Sequence, residues 1–444
     1  MRQLLGNCEI NNIKCKYHFS GNKFFLIPIE ERGIRELNQI FQKGEIKYIE
    51  LPSSYDEGIC DYLYFSEYNY VVGGFSLDVD KYFDYYSNEE VKGIVVTSDA
   101  LNFYVNPAEY FYDLKIQGNY KELDLLYQSK DIHEFNFNFE GVKIVARFMI
   151  GGILHRGISS DMKLNSKLEL SFEPTNDREF IIRLQDAVKK CFKFAMYNDE
   201  IAFSNIELIG NSEKRSKCGC IILPEHKSNV NFKGISFKSN YYYLKDYLGS
   251  FFELVANDNN LYPAHLKNTN TEYFNSTETR LANIFAAFES EYRKLPEEVR
   301  ACDTTSVEPF RKQVLGTLSE IEANNQEEKQ FLDQLISRTK ELGKVYGSRK
   351  KILTAFSYVE DCISSSLKTY GIDQKAINYF SRHIPELRNK IVHNNYEGNV
   401  GDQRGVSLME WITYAMLLKR VGIPSDKIEY ILGRVFQSNL LGFK

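Results

Sequence analysis

The sequence predicts an α+β protein: a β-rich, antiparallel, sandwich-like region over residues 1–237, followed by an all-helical bundle over residues 238–444. Three observations carry this. Up to about residue 235, apolar and polar residues alternate in short runs bounded by Gly, Asn, Asp and Pro, the pattern of half-buried strands. After about Lys238 the runs stop and apolar positions recur every three or four residues, the period of a helix with one buried face. The 444 residues are 43% hydrophobic and 14% aromatic, too apolar for a disordered chain and enough for a core in each half.

The strand-like runs are KFFLIPI, IKYIELP, CDYLYF, YNYVVGGFSLDV, KGIVVTS, LNFYV, EFNFNF, VKIVARFMI, KLELSFE and IAFSNIELIG. A shallow change near residue 150 suggests two subdomains. Between the runs KLELSFE and IAFSNIELIG, Asp177 to Phe194 has a helical period and predicts a helix packed on the sheet. In the second half, YYYLKDYLGSFFELVA reads as the first helix. NSTETRLANIFAAFESEYRKL reads as the second, with Ser276 or Thr277 as N-cap and Pro296 at its end. Further helices are expected near 306–324, 326–345, 349–368, 373–383, 385–394, 407–421 and 425–437.

The net charge is −5, with the excess acid before residue 240. That excludes a basic protein that coats nucleic acid, but not chemistry on RNA at a small site, where few phosphates need neutralising. The eight Cys form no regular framework, and the opening MRQLLGNCEINNIK has no apolar core of secretory-signal length. No run approaches the eighteen apolar residues of a membrane span, so the expectation is a cytoplasmic chain with reduced thiols and no membrane partner. Nucleophile-elbow, His-Glu-x-x-His and dinucleotide patterns are missing, and the Gly-rich stretch EGNVGDQRGVS lacks the Gly-Lys-Ser/Thr of a phosphate-cradling loop.

The segment that carries chemistry is SRHIPELRNKIVHNN. It places Pro385 in a first helical turn, Glu386 where the helix dipole favours an acid, and Asn394 and Asn395 where the helix should end. Arg388, Asn389 and His393 then lie near one helix C-terminus. Asn389 and His393, four apart, share a face, whereas Arg388 is about 140° round from His393. Arg388 must reach round, the helix must distort, or a second subunit must complete the site. Such a set suits attack of a ribose 2'-hydroxyl on its neighbouring phosphate: His393 moves protons and Arg388 holds the charge growing on the phosphate oxygens, with no metal or cofactor required. The competing reading is a helix end where cationic side chains satisfy the last carbonyls.

The string LRNKIVHN resembles the signature of HEPN domains: an Arg, four to six residues, then a His, with a polar residue after the Arg. The resemblance implies a helical bundle that dimerises and forms a composite RNA-cleaving site, with Arg388 and His393 catalytic and Asn389 in support. The layout, a helical domain behind a long β-rich region, is similar to that of ApeA-like abortive-infection proteins of phage defence. There an earlier helix carries a Glu followed by an Arg, matched here by Glu289 and Arg293. The resemblance implies an anti-phage endoribonuclease, active as a homodimer on RNA such as tRNA, with the N-terminal region binding a phage-derived trigger. Its rival is a non-catalytic nucleotide- or protein-binding module of a defence or toxin–antitoxin complex.

Glu289 and Arg293 also fit a surface ion pair, and Arg404 belongs to a Gly-rich connector that could reach RNA. Cys218, Cys220 and His226 lack the two-residue Cys spacing and the fourth ligand of a zinc site, so no metal is assigned. His383 reads as a solvated side chain ten residues before His393.

Overall fold

The computed structural model describes residues 4–53, 55, 58–108, 130–153, 163–203, 205–212, 216–223, 241–267, 278–300, 308–341, 347–369, 371–392 and 403–440. The chain divides into two units, Met1–Asp258 and Asn259–Lys444.

The first unit holds β1 (Leu4–Ile10), β2 (Ile13–Ser20), β3 (Lys23–Pro28), β4 (Tyr48–Pro52), β5 (Cys60–Val71) and β6 (Gly74–Tyr85). It continues with β7 (Val91–Thr97), β8 (Lys130–Phe139), β9 (Val142–Ile153), β10 (Lys163–Thr175), β11 (Asn205–Gly210) and β12 (Lys217–Ile222). All are joined antiparallel in one hydrogen-bonded sheet, in the order β1-β2-β3-β6-β12-β11-β7-β10-β9-β8, with β5 on β6 and β4 on β5. The join is β6. One edge of it pairs with β5; the other pairs with β3 through Phe75–Asp78 and then with β12 through Tyr82–Tyr85. Twelve residues give a strand of about 40 Å, long enough for two neighbours end to end.

On one side of this join the sheet curls until β4 lies beside β1. It encloses Phe19, Phe24, Leu26, Leu63, Phe75 and Leu77, with Leu37 and Phe41 of α1 (Glu31–Lys43) packed among them. The β1–β2 hairpin turns on Asn11 and Asn12 at φ 48° and 64°, the left-handed pair that a two-residue turn requires and Asn tolerates. On the other side, α2 (Asp99–Tyr104) packs on β10, and α3 (Arg178–Met196) sets Phe180 against Phe139 of β8 and Phe172 of β10, and Phe192 against Phe148 of β9. Asp177 caps α3 by accepting from the Phe180 N–H at 3.0 Å, as the helical period from Asp177 implies.

One expected element changes. LNFYV forms α2 rather than a strand, because the Ser98 hydroxyl accepts from the Leu101 N–H at 3.1 Å and starts a helical turn. Residue 150 is inside β9, which pairs with β8 and β10 on either side, so the sheet is continuous there. The change of period at 238 precedes the division of the chain at Asp258. After α4 (Tyr241–Leu244), α5 (Leu248–Asn257) packs on α3 and β8. The Phe252 ring lies 5.0 Å from Phe135 and 5.7 Å from Phe192, and Gly249 lies against the Asn136 carbonyl, where a Cβ would sit 2.6 Å from the oxygen. These contacts hold α5 on the sheet.

Where β5, β6 and β12 meet, two carboxylates are withdrawn from water. Asp61 accepts from the Tyr82 hydroxyl and the Tyr85 N–H, yet burial raises its pKa. Asp84, 3.8 Å from Cys220 Sγ, is pushed up to about 6, first by burial and then by the charge of Asp61. A carboxyl raised from an ordinary 3.8 favours folding when protonated. That contribution is full below about pH 4 and is lost as pH rises through about 6. Asp84→Asn should therefore raise the thermal midpoint of this unit more at pH 7.5 than at pH 4.5. Parallel melting curves of the two proteins across that range check this; a constant offset contradicts the assignment.

The second unit contains α6 (Glu278–Arg293), α7 (Glu297–Arg300), α8 (Glu308–Ser319), α9 (Gln326–Glu341), α10 (Ser348–Thr369), α11 (Gln374–Val392), α12 (Gln403–Val421) and α13 (Ser425–Leu440). α12 is buried on every side from Gly405 to Leu418, so it is the central helix, packed by α6, α10, α11 and α13. Arg280 of α6 pairs with Glu410 of α12, and Glu291 of α6 accepts from Arg420 of α12 at 3.1 Å. Since both partners advance together, the two helices run parallel. Among the described residues of the chain, no helix is long and apolar enough to cross a membrane.

Candidate active site

The site is built on α11. Asp373 caps it, accepting from the Ala376 N–H at 2.8 Å, and Ile377, Phe380, Ser381, Ile384 and Leu387 form its buried stripe. The two helices expected at 373–383 and 385–394 are one, with Pro385 inside. Proline leaves the carbonyl four residues back without its helical donor and usually kinks the helix. Here Ser381, Ile384 and Leu387 are buried on both sides of it, so packing keeps the stripe continuous.

Arg388 follows Leu387 at the edge of this stripe and is half-buried; Asn389 is exposed. Arg388 Nη1 donates to Asn389 Oδ1 at 3.1 Å, and the guanidinium carbon lies 5.6 Å from the centre of the Phe285 ring on α6. A cation over an aromatic face is held by the ring quadrupole. The hydrogen bond uses the Asn389 oxygen and leaves its amide nitrogen as a donor. His393 lies outside the described residues.

Arg404 was expected in a connector. It is instead exposed in the first turn of α12, which begins at Gln403. The next residue explains this early start: Gly405 sits so close to α11 that a Cβ would lie 2.6 Å from Ile384 Cδ1 and 3.1 Å from Phe380 Cδ1. Ile384 is one helical turn before Arg388. The first turn of α12 therefore lies against α11 one turn before Arg388, while Arg388 itself rests on Phe285 of α6.

Glu289 is one turn beyond Phe285 on α6, but its Oε1 accepts from Lys351 Nζ of α10 at 3.1 Å. It forms no ion pair with Arg293, which is exposed. His383 stacks on Tyr379, with ring centres 5.2 Å apart and planes 17° apart. Phe285 and Lys351 had no distinguishing signal in the sequence, since one is an apolar position among many and the other a lysine in a charged stretch. Only the spacing of Phe285 four residues before Glu289 puts it on the relevant face of α6.

Cys218 and Cys220 are buried free thiols on β12, and Cys220 Sγ is 3.2 Å from the Tyr86 hydroxyl; His226 lies outside the described residues. Among the described residues no three His, Cys, Asp or Glu side chains gather into a set that could hold a metal ion.

This end of α11 is suited to meeting two oxygens of one anion, a phosphate or a carboxylate. Arg388, pinned in place by Phe285 and Asn389, presents its guanidinium there with the Asn389 amide nitrogen beside it. Comparison of the chain with family models, with curated proteins and with solved structures found no match.

Proposed function

We propose that the chain is an RNA-cleaving effector of anti-phage defence. Its helical unit acts as a HEPN-like, metal-independent endoribonuclease, and its β-rich unit is the sensor that binds a phage-derived trigger. The observation that carries this reading is the placement of Arg388, half-buried on Phe285 and tied to Asn389 beside the start of α12. In the reaction, the ribose 2'-oxygen attacks phosphorus as His393 takes its proton. The bond to the 5'-oxygen breaks, and the proton passes to that leaving oxygen. The products are a 2',3'-cyclic phosphate and a 5'-hydroxyl. Arg388 and the amide of Asn389 hold the non-bridging oxygens, whose charge grows in the transition state. The active form is a homodimer in the cytoplasm, and tRNA is the first substrate to test.

Wild type, Arg388→Ala and His393→Ala are incubated with total RNA and with tRNA in EDTA, and the cut ends are mapped. The expected result is cleavage by wild type alone, leaving cyclic phosphate ends. Cleavage retained in both folded variants overturns the assignment. Nucleotide binding without cleavage would instead identify a binding module.

A further inference from the structure

Among the described residues of the helical unit, the α8–α9 hairpin is the least buried part. Each helix packs chiefly on the other, and from Pro309 to Lys340 only Thr339 is buried. Phe310, Ile321 and Phe331 are 65%, 51% and 63% exposed, and Leu318, Leu332 and Leu335 are only half covered. In α8 the apolar positions fall at 310, 314, 315 and 318, and in α9 at 331, 332, 335 and 336, a stripe roughly 140° wide on each helix. A stripe of that width on a water-soluble helix ordinarily faces a core. One antiparallel neighbour covers only part of it. Helices of 12 and 16 residues are marginal alone, so this hairpin needs a cover in order to be stably folded.

We infer that the cover is the same hairpin of a second copy of this chain, the two packing face to face as a four-helix bundle about a two-fold axis. Three arguments favour this occupant. First, a face whose folding depends on its partner needs one present wherever the chain is and in equal number, which a second copy always satisfies. Second, the charges of α9 are self-complementary for antiparallel pairing. Residues 327–333 carry three acids and one base, and residues 334–341 carry two bases and one acid. Opposing α9 helices therefore set Glu327, Glu328 and Asp333 against Arg338 and Lys340 of the other copy. Third, the area suffices: α9 is about 24 Å long and two helices are about 20 Å across. The pair then buries on the order of 1,000 Å², the lower bound of a specific interface. The inference adds to the proposed homodimer the surface that forms it.

The test is the mass of the full-length chain in solution, by light scattering across a concentration series and without RNA. Wild type should have twice the chain mass. Phe331→Glu/Leu335→Glu should shift it to a single chain mass, with the helical circular dichroism of the remainder retained. A monomeric wild type overturns both the inference and the proposed dimer. A variant that stays dimeric overturns the inference alone, because the dimer then forms through another face. Since no cleavage is read, a failure here is distinct from failure of the ribonuclease assignment.

Discussion

Replacing Arg388 with alanine is expected to slow RNA cleavage by about 10²–10³-fold, the effect of deleting one fixed donor at a developing oxyanion. The thermal midpoint should stay close to that of wild type. Arg388 is half-buried, and among the described residues it bonds to its neighbour Asn389 and lies against the face of Phe285. A half-exposed contact of this kind contributes roughly 0.5–1 kcal/mol. Arg388→Lys should recover only a small part of the rate, because an ammonium keeps the charge and loses the planar fork that meets two phosphate oxygens together. Arg32→Ala serves as the control with no effect on rate, since Arg32 is exposed in the β-rich unit and pairs with Glu36 on its own helix. Initial rates on one tRNA, with melting curves alongside, separate these outcomes. A cleaving Arg388→Ala protein at wild-type rate would remove the chemical role given to this residue.

The α+β division was legible because the two periods, two and three to four, change once along the chain. The details that escaped are those where tertiary contacts outweigh local pattern. LNFYV alternates like a strand, but Leu101 and Tyr104 are also one helical turn apart, and the Ser98 cap selects the helix. Helix α5 has the texture of the second unit and belongs to the first, because Phe252 finds Phe135, Phe137 and Phe192 on the sheet and on α3. The β1–β2 hairpin and β12 were too short or too polar to stand out, although the Asn11–Asn12 pair was a usable turn signal. At the candidate site, the stretch with Arg388 and Asn389 could be singled out from the motif. The Pro385-containing helix, the early start of α12 at Gly405 and the seat of Arg388 on Phe285 could not, since each depends on which helix faces which.

Glu410→Ala should destabilise the helical unit by about 3–5 kcal/mol, the cost of leaving a buried charge without its partner. The Arg280 and Glu410 side chains are 3% and 1% exposed, and they join α6 to the central helix α12. Arg280 also donates to the His265 carbonyl at 3.4 Å, so the guanidinium is held between α12 and the segment before α6. The second link between the helices, Glu291 with Arg420 and Lys294, lies 11 residues further along α6, about 16 Å away. The two links fix the parallel alignment of α6 and α12 at both ends, and Phe285 lies between them on α6. Losing the first link should therefore loosen the ring on which Arg388 rests and lower cleavage as well as stability. Trp411 is the chain's only tryptophan, is buried, and adjoins Glu410, so its fluorescence follows the unfolding of this unit without interference from the β-rich one. A denaturation midpoint for Glu410→Ala within 1 kcal/mol of wild type would show that the pair does not hold the two helices. The double replacement Arg280→Met/Glu410→Leu removes both charges together, and it should regain most of the lost stability because no buried ion is then left unpaired.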